Sequence, residues 1–135
     1  MLREIDDRTL VSGQISPAEV PELKRNGVTM IVNNRPDGED PEQPSSAEIE
    51  AAAAQAGIEY RHVPIRRGIG PADVDMIQEA IRDCGDGKML LFCRSGNRST
   101  LAWAVARAED GVSREELERG AAKVGVDLGP VSHLL

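Results

Sequence analysis

The segment FCRSGNRSTLAWAVA, residues 92–106, packs a cysteine, two arginines, a glycine and three hydroxyl residues into positions 93–100. The apolar run Met89–Phe92 leads into Cys93, and an apolar helical pattern starts near Asn97 to Ser99. Loop 94–98 therefore wraps the N-terminus of a helix, whose first backbone N–H groups lack intrahelical partners. The helix dipole, Arg94 and Arg98 add positive charge, so the place suits an anion. Gly96 permits the backbone angles that let successive N–H groups of Ser95, Gly96 and Asn97 converge. The same surroundings lower the pKa of a thiol and make Cys93 a nucleophile at neutral pH. Ser99 and Thr100 are placed to donate hydrogen bonds to the sulfur. An inert core thiol is the common alternative for a free cysteine. It needs neither arginines nor a glycine nor a helix start beside it.

Other residues could join this site. Arg35 and Asp37 lie in the long loop NNRPDGEDPEQP, residues 33–44, which leaves the carboxyl end of an expected strand. That is the sheet edge where α/β proteins place their sites; a solvated connection is the plainer reading. Arg66 and Arg67 follow another expected strand and suit an anionic ligand, unless they form only a solvated basic patch. Asp37 and Asp73 are the candidate general acids, with Glu39 and Asp40 as further carboxylates of the loop. Asp73 sits where a helix start favours an acid in any case. His62 could approach Cys93 from another strand. His62 and His133 are the only histidines, and neither has ligand-like spacing to the cysteines, so no metal site is expected. No cofactor is expected either, as no Gly-rich nucleotide loop is present.

Cys84 reads differently. It shares one helical face with Val74, Ile77 and Ile81, and the turn GDGK then leads into the strand that ends at Cys93. A strand of about five residues spans roughly 17 Å, whereas a disulfide needs Cα atoms within about 7 Å. Cys84 should lie at the far edge, in the core, and not serve as a resolving thiol.

The elements that must position these residues are well punctuated. SPAE at 16–19, SSAE at 45–48 and SREE at 113–116 are capping boxes that open helices, and Gly27 and Gly57 end the first two. Gly70-Pro71 opens a helix over 71–84. Between them VTMIV (28–32), IEYRHVPI (58–65) and MLLF (89–92) read as strands, with TLVSG (9–13) as a fourth. The alternation predicts an α/β domain spanning 1–135, with a central, mostly parallel sheet of four to five strands flanked by helices.

The chain has 135 residues, 16 basic and 23 acidic, for a net charge of −7. That balance argues against nucleic acid as a partner. The only aromatics are Tyr60, Phe92 and Trp103, so the core is aliphatic and base-stacking platforms are absent. MLREIDDRTL has no apolar signal-peptide core and no run reaches membrane-spanning length, so a cytoplasmic enzyme without a membrane partner is expected.

CRSGNRS resembles the loop of rhodanese-type sulfurtransferases, Cys-Arg-x-Gly-x-Arg. Cysteine-dependent phosphatases have five residues between Cys and Arg and usually His before the Cys; here there are four, and Phe92 precedes Cys93. Residues 3–109 as a whole, NNRPDGE and CRSG-x-RS above all, resemble the phosphatase-like domain family also found fused to metallo-β-lactamase-type persulfide dioxygenases. That resemblance implies a dual-specificity-phosphatase-like fold. In those phosphatases an Asp follows the strand corresponding to YRHVPI and protonates the leaving group; Arg66 and Arg67 stand there instead. Sulfur transfer needs no such acid, because thiolate and sulfite leave readily. The sequence therefore favours a sulfurtransferase in which Cys93 carries a persulfide, Arg94 and Arg98 bind the donor, and a thiol acceptor takes the sulfur. Thiosulfate, a persulfide or a phosphate ester is the expected small anionic substrate. A phosphatase forming a cysteinyl-phosphate at Cys93 is the alternative, and an anion-binding or redox-sensing module the third reading.

Overall fold

A computed structural model describes residues 2–135. Five strands form one sheet in the order β1-β2-β5-β3-β4. The strands are β1 Arg3–Asp6, β2 Thr9–Ser12, β3 Val28–Asn33, β4 Glu59–His62 and β5 Lys88–Phe92. β2, β5, β3 and β4 run parallel, and β1 pairs antiparallel with β2 at the edge. The helices are α1 Val20–Arg25, α2 Ser46–Ala56, α3 Pro71–Cys84, α4 Asn97–Glu109 and α5 Arg114–Lys123.

A parallel sheet is covered on both faces, and its strands are apolar on both sides for that reason. Val11, Met30, Val32, Met89 and Leu91 pack against α3, α4 and α5 through Ile77, Ala102, Trp103 and Leu117. On the other face Leu10, Ile31, Leu90 and Phe92 meet Leu23 of α1 and Ile49 of α2. Burying each such aliphatic side chain stabilises the fold by about 1.5–3 kcal/mol before entropy is counted. α4 is buried continuously from Ser99 to Ala106. It therefore lacks the one-sided apolar stripe of a surface helix, and its N-terminus is clamped in place by the core.

Several expectations are met in detail, and some boundaries move. α3 covers 71–84, and α2 opens on Ser45, whose hydroxyl accepts from the Glu48 N–H at 3.1 Å. The first helix begins as a 3-10 turn over Pro17–Glu19 before α1. The strand expected over 58–65 is regular only at Glu59–His62. Val63 and Ile65 continue the pairing through their N–H groups, which donate to Asn33 and Asn34 carbonyls at 2.9 and 3.0 Å. β1 was not foreseen, because R-E-I-D buries only Ile5 and reads as a charged terminus. The C-terminal piece forms a 3-10 turn over Gly129–Leu134, with Val131 buried. Among the described residues no helix is long and apolar enough to cross a membrane.

Candidate active site

The carboxyl ends of three neighbouring parallel strands meet at Cys93. Its N–H donates to the Ser12 carbonyl at the end of β2, at 3.4 Å. On the other side the Asn34 N–H donates to the Phe92 carbonyl at 2.8 Å. The side chain is fully buried, and Gly96 N–H donates to its Sγ at 3.0 Å. Gly96 holds φ at +95°, in the left-handed region, as the cap of α4. Burial pushes the Cys93 pKa up. Backbone N–H groups of Ser99, Ser95 and Gly96 outweigh it, so the thiol lies below its ordinary value. The Ser99 hydroxyl has one proton and gives it to Asn34 Oδ1 at 2.8 Å. The backbone amides therefore carry the effect.

The hydroxyls are a correction to the sequence reading. Ser99 is tied to Asn34, whose amide in turn donates to the Val63 carbonyl at 3.1 Å. Thr100 Oγ1 donates to the Gly96 carbonyl at 2.9 Å, the ordinary back-bond of a helical threonine. Neither hydroxyl is free for the sulfur as the molecule stands. Ser95 Oγ accepts from the Asn97 N–H at 3.3 Å at the helix start. Asn97 is exposed, and Arg94 is exposed with no hydrogen bond or ion pair among the described residues.

Arg98 is held on its outer edge. Its Nη1 donates to Glu39 Oε2 and to the Ile65 carbonyl, and its Nη2 to Glu39 Oε1, all at 2.8 Å. A guanidinium has five N–H donors. Nε–H and one Nη2–H remain, and the Cys93 sulfur is among the groups that keep Arg98 charged, after Glu39. Arg35 joins from beneath: it is buried, donates from Nε to Glu39 Oε1 at 2.9 Å and from Nη1 to Gln14 Oε1 at 3.0 Å. The Arg98 hydrogen bonds above all, then Arg35, hold the Glu39 carboxyl near a pKa of about 2 against the effect of burial.

The long loop thus reaches the site, through Arg35 as expected and through Glu39, which sequence reasoning considered only as an acid. An ionised carboxylate cannot donate a proton at neutral pH. Asp37 caps instead: its Oδ1 accepts from the Ser46 N–H at 2.8 Å. Asp73 Oδ2 accepts from the Gly70 N–H at 2.9 Å at the start of α3. Both have the structural role that a helix start gives an acid. His62 Nε2 lies 2.9 Å from the Arg35 carbonyl, so it is engaged there and not with Cys93. Arg66 and Arg67 follow Ile65 in an exposed loop and make no hydrogen bond among the described residues. Cys84 is half-buried at the opposite edge, where it lines a cavity of about 430 Å³ with Trp103 and Lys123. Among the described residues no cluster of three or more His, Cys, Asp or Glu could hold a metal ion.

Two supports of the loop carry no local sequence signal. Arg3 of β1 donates to the Ser95 carbonyl at 2.8 Å. Gly13 lies so close beneath the loop that a Cβ there would sit 2.8 Å from the Arg94 carbonyl oxygen.

The phosphatase-like domain of beta-lactamase hydrolase-like proteins matches residues 1–110. A beta-lactamase hydrolase-like protein of Xylella fastidiosa is 38% identical over 93% of this chain, and the chain spans 30% of that relative's length. Among solved structures, a Neisseria meningitidis Z2491 protein whose name gives phosphatase as a provisional assignment is 31% identical. The overlap covers 98% of this chain and 94% of that one, with a TM-score of 0.79. Tk-PTP in its active form is 26% identical over 92% of this chain and 84% of its own, with a TM-score of 0.70. The five-stranded α/β sheet with its flanking helices is thus the fold of the phosphatase-like proteins. The chain belongs to the phosphatase-like domain family of the beta-lactamase hydrolase-like proteins.

Proposed function

We propose that this chain is a cysteine-dependent phosphatase acting on a small phosphate ester. One observation carries the reading. A buried sulfur with a lowered pKa sits under the converging N–H groups of Ser95, Gly96 and Ser99, with the free edge of Arg98 beside it. Amides that steady a thiolate also steady the oxygens of a phosphoryl group that it attacks. Phosphatase-like relatives support phosphate over sulfur, although the four-residue spacing had favoured sulfur.

The Cys93 thiolate attacks phosphorus. An S–P bond forms as the ester P–O bond breaks, and the leaving oxygen departs with the electron pair. The free Nε–H and Nη2–H of Arg98 bind two phosphoryl oxygens, a bidentate match for which arginine is suited. Arg94 adds charge at the mouth. Water then attacks the cysteinyl-phosphate, phosphate leaves and the thiolate is restored. Glu39 is ionised and Asp37 and Asp73 cap helices, so none of these three stands ready to protonate the leaving group. Aryl phosphates, whose phenolates are stable, are therefore better substrates than alkyl phosphates.

The missing acid also favours a second reading, sulfur transfer. The thiolate attacks the outer sulfur of thiosulfate, the S–S bond breaks, sulfite leaves with the electron pair and Cys93 becomes a persulfide. A thiol acceptor then takes that sulfur.

Intact-mass spectrometry separates the two. Quenching during aryl phosphate turnover should trap an adduct of about 80 Da, absent in Cys93→Ser. An adduct of about 32 Da with thiosulfate or glutathione persulfide, and no release of phosphate from any aryl ester, would replace phosphatase by sulfurtransferase.

A further inference from the structure

Arg3 stands 92 positions before Ser95 yet touches the loop that holds Cys93. Its guanidinium forks. Nη2 donates to the Ser95 carbonyl at 2.8 Å, and Nη1 to the Val124 carbonyl beyond α5 at 2.6 Å. The Ser95 carbonyl and the Gly96 N–H belong to one peptide unit. In a planar trans peptide these two groups point in opposite directions, and among the described residues no peptide bond is cis. The inner end of this peptide is the N–H that reaches Cys93 Sγ at 3.0 Å. Arg3 thus grips the outer end of the amide whose inner end meets the sulfur. A cation on the carbonyl oxygen also polarises the amide and makes its N–H a stronger donor. The guanidinium lies directly on the glycine, since a Cβ at Gly96 would come within 2.5 Å of Arg3 Nη2.

We propose that Arg3 is a positioning residue for the nucleophile: it anchors the Ser95–Gly96 peptide from outside the loop and keeps the Gly96 N–H on Cys93 Sγ. The proposal rests on the reading of Cys93 as the nucleophile. Other charges act on the same sulfur. Arg98 faces it from α4, Arg94 stands next to it in the loop, and Glu39 and Arg35 act through Arg98 from the loop after β3. Ser12 and Asn34, which close the other sides, bring no charge. Arg3 differs from these in working through a neutral peptide, so its effect resists salt, whereas a through-space field at the surface is screened.

The test is the pH dependence of Cys93 alkylation by iodoacetamide in the full chain carrying Cys84→Ser. Arg3→Met should raise the thiolate midpoint by roughly half to one pH unit. Alkylation at pH 6 should slow by about three- to tenfold, while the rate at pH 9.5 stays within about twofold. The shift should persist in 1 M salt, at which the Debye length is about 3 Å. If Arg3→Met does not fold, Arg3→Gln reads the same midpoint, because it too removes the cation. The Gly96 amide proton should move upfield in the NMR spectrum of either variant. A folded variant that melts earlier but keeps its midpoint within about 0.2 pH unit would reduce Arg3 to a structural clamp and overturn the proposal. A shift that vanishes in high salt would overturn it too. Failure of the nucleophile reading looks different: Cys93→Ser would retain turnover, a readout independent of the alkylation midpoint.

Discussion

Replacing Glu39 by glutamine removes one charge from the Arg35–Glu39–Arg98 cluster while nearly keeping its shape. The glutamine oxygen can still accept from one arginine, but its NH2 group then faces an arginine N–H, donor against donor. The fall of the Glu39 pKa from 4.5 to about 2 sets the scale. At 1.36 kcal/mol per pH unit it corresponds to about 3.4 kcal/mol. Arg35 is only 5% exposed, but Arg98 and Glu39 keep 25% and 27% of their side chains in water. Screening reduces the expected cost to about 1–2 kcal/mol. For a chain of this length that is a fall in Tm of about 4–8 °C. The sign follows from linkage. A carboxyl depressed in the folded state contributes fully above the unfolded pKa of 4.5, and the contribution is lost as pH falls toward 2. The stability gap between wild type and Glu39→Gln, measured by urea unfolding at pH 7 and pH 3, should shrink to about two-fifths at the lower pH. Arg98 also loses its outer clamp, so kcat/KM toward an aryl phosphate should fall by about ten- to a hundredfold. Equal stability of the two proteins at pH 7, or a gap that does not change at pH 3, would refute the reasoning.

Gly13→Ala should push the Arg94 carbonyl, cost about 1–3 kcal/mol and slow Cys93 alkylation at neutral pH, all read from melts and alkylation rates. Asp73→Asn should weaken the start of α3 by about 1 kcal/mol and leave kcat within about twofold; a loss of about a hundredfold would instead make Asp73 the acid. In a Cys84→Ser background Cys93 should alkylate with a pH midpoint below the ordinary thiol value of about 8.5. An ordinary midpoint would mean that the amides of Ser95, Gly96 and Ser99 do not outweigh burial.

The sequence by itself determined the helices, the parallel strands and the placement of Cys93 at a strand end before a helix start. Those features are local: capping boxes, glycine stops and apolar runs act within a few residues. It also separated the two cysteines, because α3 and β5 put them at opposite ends of the sheet. Tertiary structure decided who surrounds the sulfur. Glu39 looked like one of several loop acids until the end of β3 brought it against Arg98, 59 positions away. Arg3 looked like a charged terminus until β1 paired with β2 and laid it over Gly96. Ser99 and Thr100 looked like donors to the sulfur, but Asn34 and the helix's own carbonyl claim their protons. Each of these outcomes depends on contacts between distant segments, and such contacts leave no periodicity in the chain. The anion cradle is therefore legible in CRSGNRS, while its clamps, and the ionised state of the neighbouring Glu39 carboxylate, exist only once the strand ends are assembled.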